Sequence, residues 1–467
     1  MLGVQLAELL DADPPGVAEA LDLVAGFDDT LVHGLARLGE ERAAALTALA
    51  GAVAASPLGP AVAEAAGKVA AGSVSDDHLA ALAGARTALF GAVHDARLAD
   101  LDAALGRTRE AWQEPPAAAP KVRSMLAGSR SWLRELAIAG WRGVGHDLIS
   151  AADQTIEALL AEPELRRLAV LLDGLAAELR ASSPLATAER LPARRWADLW
   201  ARAMTLSWEG DVTNLPGAAP PVESVSGRLL LLGVDVHEHG TAVQAQVHAV
   251  LEPADGAPAR LVRTSVVAAK VDTIVGPALW RLLHGHPTLL TALAERRSLE
   301  VADLPLLAGG DLVWHDDRAT AGEPADPFAT ARIQLAGALA PPVPPLERHP
   351  VRIAEPVLLE GYTTDGGALE LDGRTLPLDL DRLPACGPLT PALVAASSAC
   401  IGLLRRDGGR WMVQPLAVQA TVKRKPVEVH GGDWALGITD PKVAKAEARA
   451  GDAVAVLRER AGRLLRK

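Results

Sequence analysis

Ser207-Trp-Glu-Gly-Asp-Val-Thr-Asn-Leu-Pro-Gly-Ala-Ala-Pro-Pro-Val222 divides the chain into two stretches of different character. Upstream of it, Ala and Leu recur at helical spacing. Downstream come β-branched runs such as Arg260-Leu-Val-Arg-Thr-Ser-Val-Val-Ala-Ala-Lys-Val271, punctuated by Asp-Gly and Gly-Gly turns. The change of period predicts an α+β protein: an all-helical N-terminal half, then a β-rich C-terminal half with a terminal amphipathic helix.

Working outward from that break, the chain reads as a helical domain over 1–114 and a second helical block over 121–214. An antiparallel β meander with a helix follows over 222–340, then a β-rich hairpin domain over 347–440 and a C-terminal helix over 441–467. Pro15 suits the first turn of a helix running to Val24, and Ser75 is a good N-cap for one continuing toward Trp112. Glu114 to Pro120 reads as a stiff linker, and Pro163 opens the last helix of the second block. Arg228–Val236 and Ala242–Leu251 read as a hairpin, with Arg260–Val271 as a third strand. Ile401–Arg406 and Trp411–Val422 form the clearest hairpin, across Asp407-Gly-Gly. No internal repeat is legible. Each half has enough apolar residues for a core, so fragments cut near Pro216 to Val222 are expected to fold separately.

With 49% hydrophobic and 22% charged residues over 467, the composition is globular rather than disordered. The net charge of -12 argues against a general nucleic-acid binder. Lysine, asparagine and tyrosine are scarce (Asn214 and Tyr362 stand alone), which a GC-rich bacterial genome explains. Glu8, Asp11 and Asp13 stand where a signal peptide needs positive charge, and Ala43–Ala63 is broken by Gly51, Pro57, Gly59 and Pro60. A cytoplasmic protein without a membrane span is expected. Cys386 and Cys400 are expected to be reduced and inert.

Candidate chemistry is sparse. Asp235, His237 and His239 alternate, so on a strand they share one face and could begin a metal site. The pattern is incomplete, since Thr241 and Ala242 follow it, and a solvated sheet face explains it as well. His284-Gly-His286 sits at a helix break and His315-Asp-Asp317 in a turn. Neither a P-loop nor a Gly-x-Ser-x-Gly elbow occurs. No catalytic residue, metal ligand or cofactor is assigned. The ten tryptophans are the unusual feature. Trp196, Leu199, Trp200 and Ala203 fall on one helical stripe, chiefly a burial signal, although Trp and Arg are also enriched at interfaces. Arg195, Arg202, Trp196 and Trp200 are therefore the candidate partner-binding residues, with the two arginines lying off the stripe.

Arg123-Ser-Met-Leu-Ala-Gly-Ser-Arg-Ser-Trp-Leu-Arg-Glu-Leu-Ala-Ile-Ala-Gly-Trp-Arg142 and Arg195-Trp-Ala-Asp-Leu-Trp-Ala-Arg-Ala-Met204 carry a resemblance over Pro120 to Trp208. This region resembles uncharacterised actinobacterial proteins encoded beside MoxR-type AAA ATPase, von Willebrand A-domain and SWIM zinc-finger proteins. The resemblance implies an accessory or adaptor role in such a chaperone-like system and brings no catalytic motif. The leading expectation is a non-enzymatic interaction or assembly protein with protein partners. The alternatives are a metal-dependent hydrolase using the histidines of the β half and a single-strand nucleic-acid binder on small barrels.

Overall fold

A computed structural model describes residues 1–113, 123–162, 165–209, 223–271 and 273–450. The expected linker at 114–120, the opening proline at 163, the break at 216–222 and the last part of the terminal helix lie outside the described residues. The protein is α+β, with helices in the N-terminal half and β-sheet from residue 223 onward. No helix among the described residues is long and apolar enough to cross a membrane.

The first helices are α1 (Gly3–Asp11), α2 (Val17–His33), α3 (Glu40–Ala52), α4 (Gly59–Ala70) and α5 (Asp76–Leu105). Ser75 caps α5 by accepting a hydrogen bond from His78 N at 3.3 Å, with Asp76 and Asp77 in the first turn. Three helix boundaries differ from the sequence reading. Pro15 lies in the turn before α2, which starts at Val17 after Gly16 in a left-handed conformation (φ 82). Helix α5 stops at Leu105 rather than near Trp112, because Gly106 takes a left-handed conformation (φ 62) that ends it. Helix α2 runs on to His33, because Gly26 sits inside it without breaking it and Gly34 (φ 87) is the actual stop. Then follow α6 (Arg123–Ala139), α7 (His146–Ser150), α8 (Asp153–Ala161), α9 (Arg166–Ala181) and α10 (Ala193–Glu209).

The helical core forms around the tryptophan stripe. Trp196 and Trp200 are completely buried. Trp196 meets Trp141 edge-on at 6.0 Å, and Trp200 lies 6.3 Å from Phe27. Trp200 Nε1 donates to Leu133 O at 2.9 Å and Trp196 Nε1 to Glu178 at 3.1 Å, so both polar tips are satisfied. Trp200→Ala is accordingly expected to cost roughly 3–5 kcal/mol, seen as a lowered melting temperature. Unchanged melts for both Trp196→Ala and Trp200→Ala would exclude this role.

The β half contains β1 (Glu223–Glu238), β2 (Ala242–Pro253), β3 (Arg260–Ala269), α11 (Pro287–Glu295), β4 (Arg297–Leu306), β5 (Asp311–Leu312) and β6 (Ala319–Pro324). The connecting helix α12 (Pro327–Gln334) leads to β7 (Ala354–Glu360), β8 (Thr363–Thr364), β9 (Ala368–Leu371) and β10 (Arg374–Pro377). Helix α13 (Pro391–Ala395), β11 (Ser397–Asp407), β12 (Arg410–Val422), β13 (Lys425–His430) and α14 (Pro441–Ala450) complete it.

These strands close two rings. In the first, β1 pairs antiparallel with β2 and β4, β2 with β3, and β4 with β5, while β3 and β5 run parallel. In the second, β11 pairs antiparallel with β7 and β12, and β9 with β8 and β10. Leu378, just after β10, bridges parallel to Val413 of β12. Strands β7 and β8 act as one strand bent at Gly361 (φ 74). Both barrels therefore share one strand order, and each has a proline-started helix before its fourth strand. The correspondence lies in the pairing, not in the residues, which is why no repeat showed in the sequence.

Leu229, Leu231, Val247, Val262 and Leu299 fill the first barrel, with Leu289 and Leu293 of α11 at its end. The second is filled by Val357, Leu369, Leu376, Leu404 and Val413 together with Leu6 and Leu9 of α1 and Leu98 and Leu101 of α5. Arg107 fixes this junction, donating to Glu355 Oε2 at 2.9 Å and Pro356 O at 2.8 Å. A cut near Pro216 to Val222 would strip four leucines from the barrel they fill. Separate folding of the two halves, expected from composition, is therefore not what the packing supports. Between the barrels, Leu230, Leu232 and Val250 meet Leu358, Ile401 and Ala417, with Phe328, Ala331 and Leu335 of α12 beside them.

Candidate functional site

The alternation of β1 places Val234 and Val236 inside the first barrel and turns Asp235 outward. Outward here means into the seam between barrels. Gly233 makes that seam possible: a Cβ there would lie 2.7 Å from the Leu416 Cβ. The β1–β2 register also shifts between Leu231 and Gly233, which re-aims the strand.

Asp235 is 2% exposed and accepts three hydrogen bonds. Arg405 Nη2 of β11 and Gln414 Nε2 of β12 each stand 2.8 Å away, and His237 Nε2 stands at 2.9 Å. Arg405 Nε also donates to Gln414 Oε1 at 2.6 Å, closing a triangle across the seam. Burial alone would raise the Asp235 pKa, but the His237 hydrogen bond and charge, then Arg405 and Gln414, hold it well below the usual carboxylate range. His248, opposite Gly233 on β2, lies in the same seam, and burial pushes its pKa down to about 4.

The structure thus joins Asp235 and His237, as the alternation implied, but leaves His239 exposed in the β1–β2 turn. The carboxylate is engaged by the second barrel, so the group works as an inter-barrel lock. Among the described residues, no group of three or more His, Cys, Asp or Glu is placed to hold a metal ion. The other histidine motifs have local roles. His284 Nδ1 lies 2.9 Å from Arg281 O at the end of the preceding turn. In His315-Asp-Asp317 the middle residue caps α11: Asp316 Oδ2 accepts from Thr288 N at 3.2 Å and Thr288 Oγ1 at 2.7 Å. Cys386 and Cys400 are buried, and burial pushes both thiols up to about 12.

The four candidate partner residues separate. Trp196 and Trp200 offer no surface in this fold, because the helical stripe faces the core, and they are corrected to packing residues. Arg202 is largely buried against residues 346–347. Arg195 alone is well exposed (66%), gripping Glu178 through Nε at 2.8 Å. Arg405 and Gln414 escaped sequence reasoning because they lie 170 and 179 residues from Asp235. Their only sequence signal was position inside an apolar hairpin. No family model matches the chain, and neither a curated protein nor a solved structure matches it.

Proposed function

We propose that this chain is a non-enzymatic interaction or assembly protein, acting in a bacterial cytoplasm as an accessory to a MoxR-type ATPase and von Willebrand A-domain system. One observation carries the non-enzymatic part. The side chains richest in chemistry (Asp235, His237, Arg405 and Gln414) are spent on locking one barrel to the other. The partner class rests on the resemblance over residues 120–208. Of the four candidate residues, Arg195, exposed on α10, is the one a partner could reach without unfolding the bundle. Purified chain should co-elute with a MoxR-type ATPase or von Willebrand A-domain protein from the same cell, and Arg195→Glu should weaken the complex about tenfold. Failure to co-elute with either protein would overturn the reading.

A second reading is favoured by the two closed rings. Their strand order is that of OB-type barrels, which in other proteins bind oligonucleotides or oligosaccharides. Here the outer face of β2 and β3 carries Gln244, Gln246, Ser265 and Val267 rather than aromatic rings for base stacking. Salt-dependent binding of an oligothymidylate by the purified chain would bring this reading forward.

A further inference from the structure

The second barrel and its added strand β13 contain three hairpins that each turn through two residues. Leu371 pairs with Arg374 across Asp372-Gly373, and Asp407 with Arg410 across Gly408-Gly409. Val422 pairs with Lys425 across Lys423-Arg424, which joins β12 to β13. In all three, both loop residues are left-handed: φ is 49 and 78, 54 and 78, and 50 and 65 in that order. Positive φ at both positions marks the type I′ turn, whose preferred residues are Asn, Asp and Gly. The first two turns use those residues, whereas the third places Lys and Arg there. A Cβ makes the left-handed region costly, and glycine at the second position would remove that cost.

Local structure gives these cations no role. Lys423, Arg424 and Lys425 are all exposed, and among the described residues no carboxylate pairs with any of them. Three uncompensated positive charges thus stand together at one tip, in a chain whose net charge is -12. Pro426 follows them and has no N–H to offer an added strand. Farther along β13, Arg296 Nη2 donates to Glu428 O at 3.1 Å, and Asp433 Oδ2 accepts from His430 N at 3.0 Å. The edge of β13 is therefore closed to strand addition, and a partner at the tip would be held by side-chain charge.

We propose that Lys423-Arg424-Lys425 docks an acidic segment of a partner protein, one carrying several Asp or Glu side chains in succession. The surroundings favour this polyanion over others. No Trp, Tyr or Phe of the β half is exposed among the described residues, so a nucleic-acid strand finds no ring on which to stack its bases. Exposed Thr421, Pro426 and Ala396 adjoin the tip, and no large apolar side chain is exposed between residues 390 and 430 to enter a bilayer. A long polyanion would also meet the negative remainder of the chain, whereas a short acidic segment engages the tip alone. The tip belongs to the second barrel and Arg195 to α10, so this inference does not rest on the partner class proposed above.

Fluorescence anisotropy of a labelled hexaglutamate peptide, titrated with the full chain at low salt, tests the proposal. The wild-type chain should bind the peptide and release it as salt rises. Lys423→Asn combined with Arg424→Gly supplies the residues this turn prefers. That variant should melt no lower than the wild-type chain while binding the peptide about tenfold more weakly. Lys423→Arg combined with Arg424→Lys keeps the charge and should bind as the wild-type chain does. Oligothymidylate and phosphatidylserine vesicles should each bind more weakly than the peptide. Peptide binding that is absent, or unchanged by Lys423→Asn with Arg424→Gly, would overturn the proposal. So would tighter binding of oligothymidylate or vesicles that the same variant abolishes. A lower melting temperature for that variant would also overturn it, since the two cations would then hold the hairpin itself.

Discussion

Arg405→Met should destabilise the protein by about 3–5 kcal/mol, the usual consequence of leaving a buried charge without its partner. Asp235 is almost fully buried, and Arg405 brings a full positive charge to within 2.8 Å of it. Methionine keeps most of the side-chain volume while removing both the charge and the bond from Nε to Gln414 Oε1. Gln414 and His237 still donate to the carboxylate, but the guanidinium charge and its bond across the seam are gone. The double variant Asp235→Asn with Arg405→Met should recover much of the loss, because neither charge is then buried. Urea titrations of the two variants measure both effects. A loss below about 1 kcal/mol for Arg405→Met would show that the triangle does not lock the barrels.

The seam also shows what the sequence could reveal. Periods of 3.6 and 2 residues are local properties, so the change from helix to strand and the Asp407-Gly-Gly hairpin were legible. The shared face of Asp235 and His237 was legible for the same reason. Barrel closure was not, because it depends on pairings such as Arg263 with Asp311 and Leu378 with Val413, far apart in the chain. Nothing in the pattern of α1 indicates that Leu6 and Leu9 fill a barrel built from residues beyond 353. The stripe of Trp196 and Trp200 announced an apolar face but not what covers it. Asp316 looked like part of a turn because a helix cap supplied from 28 residues away leaves no local signature.

Acidification gives the largest expected effect. His248 and His349 ordinarily titrate at 6.5, and burial pushes both down to about 4. For His248, Asp235 opposes that shift while Arg263 and Arg405 add to it. For His349, Asp198 opposes it while Arg86, Arg202 and His94 add to it. The unfolded chain takes up these protons at higher pH than the folded one. Stability from each histidine is thus complete above about pH 6.5 and is lost as the pH falls through 4. Each shift corresponds to roughly 3 kcal/mol, so the pair should remove several kcal/mol across that window. The depressed carboxylates act in a separate range. Glu428, held at about 2 chiefly by its hydrogen bond from His430, loses its contribution only below the usual carboxylate value. Urea midpoints at pH 7 and pH 4.5 separate the groups. His248→Gln and His349→Gln should each flatten the profile between those values, and the double variant should flatten it most. A wild-type chain equally stable at both pH values would show that the two imidazoles do not resist protonation in the folded state.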